Sequence, residues 1–384
     1  MPPLRFPEFT DEWTDTTIGS IATVVGGGTP DTTQKDNWDG NILWYTPSEI
    51  GKEKYLSDSE RRITNIGLKS SGAKLLPKGT ILLTSRATIG ECSIAAYECS
   101  TNQGFQSLIA NQGVNNEFLF YLVASKRREL LKRACGSTFL EISANEVRKI
   151  KVKSPSIDEQ NKIASLLALI DERIATQSRI IDKLQSLMSG ICERLSYSDM
   201  GENIKLGDIL LERIEKTTKN NQYEILSSTV KGIFLQREYF SKDIASEDNI
   251  GYKVVRLNDI VLSPQNLWMG NINFNDKFQI GAVSPSYKVF TIAEQFYKPF
   301  ISAILKTRRA LYNYELVSEQ GASIVRRNLN MEAFEQLTFK IPSYDRQVQI
   351  GNVILTLQHR IDLTKKLYSA MIQQKQWFLQ QMFI

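Results

Sequence analysis

The sequence has little of the material from which most catalytic and metal-binding sites are built. Its 384 residues include one histidine, His359, and four cysteines, Cys92, Cys99, Cys135 and Cys192, without a CxxC pair. Chemistry that depends on a histidine base or on several histidine ligands is therefore nearly excluded. The cysteine spacing favours neither a disulfide framework nor a zinc site, so we expect a protein of the reducing cytoplasm.

Long apolar runs and a large excess of one charge are also missing. Without a run of about eighteen apolar residues or a signal-peptide pattern, we expect no contact with a membrane. The net charge is +5, and residues 1–155 carry 19 basic against 17 acidic residues, while residues 202–341 carry 18 against 16. Contact with DNA would therefore need a local basic patch together with polar side chains that read bases.

Motifs for nucleotides and cofactors are missing too. The sequence has no GxxxxGK[ST] motif, and Gly26-Gly27-Gly28-Thr29-Pro30 lacks the GxGxxG spacing of a phosphate-binding loop. We therefore expect no cofactor and no metal in this chain, and no catalytic residue.

An internal repeat is the main positive feature. At a shift of 187 residues, 155–160 (PSIDEQ) lies over 342–347 (PSYDRQ). Upstream, residues 18–21 resemble 206–209, and residues 78–83 resemble 258–262. The chain therefore consists of two copies of one unit, each a variable part followed by a similar helix.

Each predicted helix carries a heptad pattern. From Ile163 and from Ile350, steps of four and three residues land mostly on apolar side chains, and Ser156 with Glu159 predicts a capping box before the first helix. About forty residues make a helix of about 60 Å, which favours pairing of the two helices over packing on one small domain. The predicted seam contains Ile163, Leu167, Ile170, Ile174, Gln177, Ile181, Leu184, Ile354, Leu357, Ile361, Thr364, Tyr368 and Met371.

These patterns predict an α+β protein with two similar mixed α/β domains, joined by two long antiparallel coiled-coil helices with pseudo-two-fold symmetry. The predicted segments are a first domain at 1–155, a spacer helix at 156–200, a second domain at 201–341 and a spacer helix at 342–384. Buried strands are expected at 81–84 and 260–263, and helices with basic ends at 116–133 and 293–314.

Polar loops that follow the two buried strands are the candidate base readers. They align between the copies but differ in their donors and acceptors, as reading two different half-sites would require. Ordinary solvated loops are the alternative. The candidate DNA-binding residues are Thr84, Ser85, Arg86, Thr88, Asn102, Gln103, Gln265, Asn266, Trp268, Arg326 and Arg327.

The layout resembles the specificity subunit of type I restriction–modification systems. The resemblance rests on the alternation of two variable units with two helices entered through the 155–160 and 342–347 elements. It also rests on residues 4–9 (LRFPEF), the Gly28-Thr29-Pro30 turn and residues 102–105 (NQGF). The second copy has no equivalent of the GGGTP turn.

The resemblance implies a non-catalytic subunit whose two recognition domains each read half of a bipartite, asymmetric target in double-stranded DNA. It implies that the paired helices set the gap between the half-sites and bind two methyltransferase subunits, with two restriction subunits as optional further partners. S-adenosylmethionine, ATP and Mg²⁺ would then be bound by those partners. A fused enzyme component that cuts or methylates DNA, and a coiled-coil adaptor that does not bind DNA, are the alternatives.

Overall fold

The computed structural model describes residues 2–136, 140–196, 201–239, 248–320 and 327–383. The protein forms two compact units: Met1–Gln177 together with Leu367–Ile384, and Ser178–Lys366. Both units combine helices with sheets, as the predicted α+β class requires. Each contains part of both long helices, so the units cut across the four consecutive segments predicted from the sequence. Within the described ranges, no helix is long and apolar enough to cross a membrane.

The first unit contains a central sheet of strand order β2-β9-β6-β7-β4, a sheet of order β5-β3-β8 and the pair β1-β10. Its strands are β1 (Thr14–Thr17), β2 (Ala22–Gly26), β3 (Trp38–Tyr45), β4 (Tyr55–Leu56), β5 (Arg61–Ile63), β6 (Ile81–Leu83), β7 (Cys92–Ala95), β8 (Cys99–Thr101), β9 (Gln106–Ala110) and β10 (Lys151–Ser154). Its helices are α1 (Ile18–Ile21), α2 (Asn65–Lys69), α3 (Asn116–Ser125), α4 (Arg127–Arg133), α5 (Ala144–Arg148) and the first half of α6 (Ile157–Ser196).

The second unit contains a central sheet of order β12-β19-β16-β17 and the pairs β13-β14, β15-β18, β11-β22 and β20-β21. Its strands are β11 (Glu202–Lys205), β12 (Leu210–Glu212), β13 (Leu226–Thr229), β14 (Gly232–Leu235), β15 (Lys253–Arg256), β16 (Asp259–Leu262), β17 (Ile272–Phe274), β18 (Ile280–Val283), β19 (Lys288–Ile292), β20 (Ser318–Gln320), β21 (Arg327–Leu329) and β22 (Thr338–Ile341). Its helices are α7 (Leu206–Ile209), α8 (Gln236–Tyr239), α9 (Lys298–Ile304), α10 (Arg308–Leu316), α11 (Met331–Gln336) and most of α12 (Tyr344–Met382).

The repeat seen in the sequence is a repeat of topology. The order β2-β9-β6-β7 in the first unit matches the order β12-β19-β16-β17 in the second, with antiparallel neighbours in both. The central strands β6 and β16 are buried along their whole length. Before each of them the chain turns through a residue with positive φ, Gly79 at 86° and Asn258 at 71°, conformations that favour glycine and asparagine.

The two predicted helices with basic ends are each broken into two. The first is interrupted at Lys126, where Ser125 Oγ donates to the Leu122 carbonyl and competes with the helical hydrogen bonds. The second begins at Lys298 and not at residue 293, because Pro299 suits the first turn of a helix. It ends before Thr307, whose Oγ1 accepts from Ala310 N and so caps a new helix, α10.

Glutamines connect the first turn of each long helix to the preceding part of its unit. Gln160 Oε1 accepts from Asn115 N at 2.9 Å, and its Nε2 donates to the Pro155 carbonyl at 3.0 Å. Gln347 repeats both bonds, accepting from Tyr297 N at 2.9 Å and donating to the Pro342 carbonyl at 2.9 Å. Both side chains are almost fully buried, so the PSxDxQ element anchors each long helix to the start of a shorter domain helix.

The predicted capping box at the start of α6 forms only in part. Glu159 N donates to Ser156 Oγ at 3.4 Å, as expected of such a box. The Glu159 carboxylate instead accepts from Arg5 Nε and Nη2, both at 2.7 Å, and from Trp13 Nε1 at 3.2 Å. Arg5 presents two donors that match a carboxylate, which makes this bidentate pair stronger than a single bond to the helix backbone.

In the first unit, the start of α6 packs beside the end of α12. Ile163 and Leu167 share an apolar core with Met382 and Phe383, and Leu4 N donates to the Gln381 carbonyl at 3.1 Å. Further along, Lys375 pairs with Asp171 at 2.6 Å. Residue numbers rise along one helix as they fall along the other, so these segments are antiparallel.

In the second unit, the end of α6 meets the start of α12. Met188 and Cys192 pack against a core that contains Ile350 and Ile354. The predicted seam residues are all buried or half-buried in the two units, and Thr364 bonds its Oγ1 to the Arg360 carbonyl at 2.7 Å. This bond satisfies the hydroxyl that Thr364 places in the seam.

Two glycines provide a test of the packing. A Cβ at Gly28 would lie 2.3 Å from Ala73 N, whereas a Cβ at Gly190, inside α6, would meet nothing within 4 Å. We expect Gly28→Ala to lower the free energy of unfolding by about 3 kcal/mol, because backbone atoms must move. Gly190→Ala should raise it by about 0.5–1 kcal/mol, because alanine restricts the unfolded chain and favours helix. Urea unfolding of both variants measures the difference; equal effects would contradict the packing described here.

Candidate nucleic-acid interface

The loop after β6 holds four of the candidate base readers at different depths. Thr84 and Ser85 are fully buried, so they are not surface groups. Thr84 Oγ1 donates to the Thr88 carbonyl at 2.6 Å, which closes the loop on itself. Thr88 is exposed, and Arg86 is half-buried. The sequence predicts all four on an exposed loop. Thr84 and Ser85 instead continue the buried strand β6, although their side chains are polar.

Hydrogen bonds join three segments of the first unit beside this loop. Gly28 N donates to the Thr101 carbonyl at 2.9 Å, and Thr29 Oγ1 donates to Gln103 Oε1. Ser85 N donates to the Gly104 carbonyl at 2.8 Å. The GGGTP turn, the NQGF turn and the loop after β6 are therefore neighbours, although they lie far apart in sequence.

The two candidates of the NQGF turn differ in accessibility. Gln103 is exposed, while Asn102 is half-buried and its Oδ1 accepts from Gly104 N at 2.8 Å. Asn102 therefore shapes the turn that presents Gln103. A side chain at Gly27 would lie 2.0 Å from the Asn102 carbonyl oxygen, so the close approach of the two turns requires glycine there.

Arg86 is paired with an acidic residue. Its Nε lies 2.9 Å from Glu141 Oε1, and both side chains are about 40% exposed, at 43% and 37%. Ion pairs with this exposure contribute little to stability, so Arg86 can exchange Glu141 for a phosphate or a base edge at low cost. Sequence reasoning missed Glu141 because no local spacing connects it to Arg86.

The loop after β16 has the same position in the second unit and a different surface. Gln265 is exposed, and Asn266 and Trp268 are half-buried. Trp268 belongs to a short 3-10 helix, Leu267–Met269, which Asn266 precedes and in which Leu267 is fully buried. Gly270 ends the turn with φ 92°. The apolar Leu267 fixes the loop from inside, so the polar residues beside it keep a defined position.

Arg327 joins this loop from strand β21. Its backbone N donates to the Gln265 carbonyl at 3.1 Å, and its guanidinium stacks 4.8 Å from the centre of the Trp268 ring. Its Nη2 also donates to Glu315 Oε1 at 2.7 Å. The structure thus brings Gln265, Trp268 and Arg327 together, as expected of one surface, while Arg326 lies outside the described residues.

Two arginines in the basic end of the first predicted helix are held in ion pairs. Arg127 pairs with Glu91 at 2.7 Å, and Arg133 pairs with Glu129 at 3.0 Å and with Glu146 at 3.2 Å. Hydrogen bonds from Lys149 and Arg133 lower the pKa of the Glu146 carboxyl. These arginines are therefore weaker candidates for phosphate contacts than the loop residues.

Together, the two loops offer amide, hydroxyl, indole and guanidinium groups, which suit the edges and phosphates of nucleic acid. Within the described ranges, no group of three or more His, Cys, Asp or Glu side chains is placed to hold a metal ion. The arrangement is suited to binding and offers no assembled acid–base pair in either loop.

Comparison with known sequences gives a consistent family. The sequence model of the "Type I restriction modification DNA specificity domain" matches residues 10–186. The specificity subunit of the type I restriction enzyme MjaIX from Methanocaldococcus jannaschii is 34% identical over 262 residues, which cover 62% of this chain and 60% of the relative. That of EcoR124I/EcoR124II from Escherichia coli is 26% identical over 175 residues, 44% of this chain and 43% of the relative. The matches thus span less than two thirds of each of these relatives.

Comparison with solved structures supports the fold. The S subunit of a type I restriction-modification system from M. genitalium matches with a TM-score of 0.59 at 15% identity, covering 100% of this chain and 99% of that one. A chain from a structure of the type I R-M system matches with a TM-score of 0.58 at 14% identity, covering 96% and 97%. At these identities the similarity concerns the fold alone.

The structural roles of Thr84 and Ser85 can be tested as a pair. Ser85 Oγ is buried without a hydrogen-bond partner among the described residues, whereas Thr84 Oγ1 is bonded. We expect Thr84→Val to lower the free energy of unfolding by about 1–2 kcal/mol, because the Thr88 carbonyl loses its donor. Ser85→Ala should leave stability unchanged or raise it slightly, as measured by chemical denaturation. A larger loss for Ser85→Ala would mean that its hydroxyl is satisfied in solution.

Proposed function

We propose that this chain, whose residues 10–186 match the sequence model of the type I restriction modification DNA specificity domain, belongs to that family and selects the DNA sequence on which a type I restriction–modification complex acts. Each recognition domain reads one half of a bipartite, asymmetric target. The chain itself catalyses neither methylation nor cleavage. The recognition domains are assigned to 1–155 and 201–341, and the spacer helices to 156–200 and 342–384.

One observation carries this proposal. Two units share one strand order and one glutamine anchor, yet the loop at the end of their central strand differs in every exposed group. Arg86 and Gln103 lie at least partly at the surface of one unit, and Gln265, Trp268 and Arg327 at that of the other. A repeated scaffold with different polar tips is suited to reading two different base sequences.

The partners follow from the same assignment. The paired helices dock two methyltransferase subunits, which bind S-adenosylmethionine, and two restriction subunits that use ATP and Mg²⁺ join where the system has them. The complex acts in the cytoplasm, where the chromosomal DNA of its host lies. The seam residues, from Ile163 to Met371, hold the two helices together and are not themselves docking residues.

The test is to map methylated adenines in DNA from cells that carry this subunit with its methyltransferase partners. We expect one asymmetric motif with two short specified halves and an unspecified gap. Gln265→Ala should relax the specificity of one half only, and Gln103→Ala that of the other, because each lies on a different unit.

Binding of random duplex by the complex should weaken as salt rises, since phosphate contacts release counterions. Salt-independent or absent DNA binding would support the adaptor alternative.

The spacer helices give a second prediction. Removal of one heptad from each helix shortens each by about 10 Å, the rise of about three base pairs. We expect the methylated motif to keep both half-sites while its gap shrinks by up to about three base pairs. Removal of the heptad from α6 alone is the control, because it breaks the match between the seams and should abolish methylation. A change in the half-site sequences would contradict the role of the helices as spacers.

A further inference from the structure

The second unit contains a pocket of about 430 Å³ at the place where α9, β17 and the two long helices meet. Small or flexible side chains line its helical side. Those used below are Met188 from α6, Pro299, Ser302 and Ala303 from α9, and Gln358 from α12. All belong to the same compact unit.

The glutamine anchors show which residues occupy the equivalent place in the first unit. Gln160 bonds Asn115 N as Gln347 bonds Tyr297 N, so α3 and α9 align residue by residue from these points. Pro299, Ser302 and Ala303 then correspond to Glu117, Phe120 and Tyr121. At the helix shift of 187, Met188 corresponds to Lys375, and Gln358 to Asp171.

Large polar side chains fill that place in the first unit. The phenol of Tyr121 is fully buried and donates to Asp171 Oδ2 at 2.6 Å. Lys54 Nζ donates to Tyr121 Oη and to Glu117 Oε2, both at 2.9 Å. The Tyr121 ring and the Glu117 carboxylate, both bonded to Lys54 Nζ, therefore occupy this place in the first unit.

The second unit has the ammonium group but lacks the ring. Lys306 lines the pocket, and its Nζ donates to Asn273 Oδ1, a neutral acceptor, at 2.6 Å. Among the described residues, no carboxylate lies within ion-pair distance of Lys306. Burial lowers the pKa of this ammonium, because its charge is poorly solvated.

Two of the acidic side chains that line the pocket already accept hydrogen bonds from other residues. Glu193 accepts from Arg308 N, and Asp362 Oδ1 accepts from Gln358 Nε2 at 3.0 Å. The other charged lining residues, Lys231, Asp276 and Lys277, are exposed. The interior therefore presents an ammonium without a paired anion, in a lining that also contains apolar side chains such as Met188 and Ile354.

We propose that this pocket binds a small aromatic carboxylate, with the ring in the space that Tyr121 fills in the first unit and the carboxylate on Lys306 Nζ. The ring replaces the missing side chain at Ala303 and packs against Met188. The carboxylate takes the part that Glu117 has beside Lys54. This is a function additional to DNA recognition, and neither depends on the other.

The test uses the full chain and the probe 3-(4-hydroxyphenyl)propionate, with its neutral amide as the matched compound. Isothermal titration and ligand-observed NMR should show saturable binding of the acid, about ten-fold or more tighter than the amide, because a charge-assisted hydrogen bond is lost in the amide. Lys306→Met should reduce the affinity for the acid by about ten-fold and leave that for the amide unchanged. Lys298→Met, at the start of α9 and outside the pocket lining, is the control and should bind as the unmodified chain does.

A second variant tests the position of the ring. Ala303→Tyr should restore the filling seen in the first unit and abolish binding of the acid, while circular dichroism and thermal unfolding report whether it folds. Should this variant fail to fold, Lys306→Met and the amide still decide the outcome. Absence of saturable binding by the unmodified chain, equal affinity for acid and amide, or unchanged binding by Lys306→Met would each overturn the proposal.

Discussion

The fold depends on one buried side chain, used twice. A glutamine in the first turn of each long helix accepts from the backbone N–H at the start of the preceding domain helix and donates to the proline carbonyl before its own helix. An unpaired amide at this depth would be costly, so both bonds must form together for either helix to start where it does. Each domain is thereby fixed to its helix in direction as well as in position.

On this frame, the two copies differ at the turns that follow their central strands. The central strands β6 and β16 are buried and alike, whereas the turns that follow them present different side chains on differently built supports. In the first unit the support is the packing of two glycine-containing turns, and in the second it is Leu267 beneath a 3-10 helix. A change of loop sequence can therefore alter what is bound without altering how the domain folds.

Regular patterns were the part of this structure that the sequence could predict. The repeat and the heptads follow from periodic spacing, so the long helices and the matched strands β6 and β16 were expected where they lie. The hydrogen-bond donors to the Glu159 carboxylate could not be predicted, because a capping box is a local pattern whereas Arg5 and Trp13 are distant in sequence. The burial of Thr84 and Ser85 and the pairing of Arg86 with Glu141 also arise only from tertiary contacts. For the same reason, the pocket beside Ala303 has no signature in the sequence.

The last turns of α12 complete the core of the first unit, with Met382 and Phe383 beside Phe118 and Ile163. During synthesis on the ribosome, the second unit has all of its residues once Lys366 has emerged. The first unit begins earlier but at that point still lacks the part of α12 that completes its core. Maturation of the first unit therefore awaits the synthesis of the residues from Leu367 onward. A product that stops short of residue 367 would leave an apolar surface open on the half that was made first.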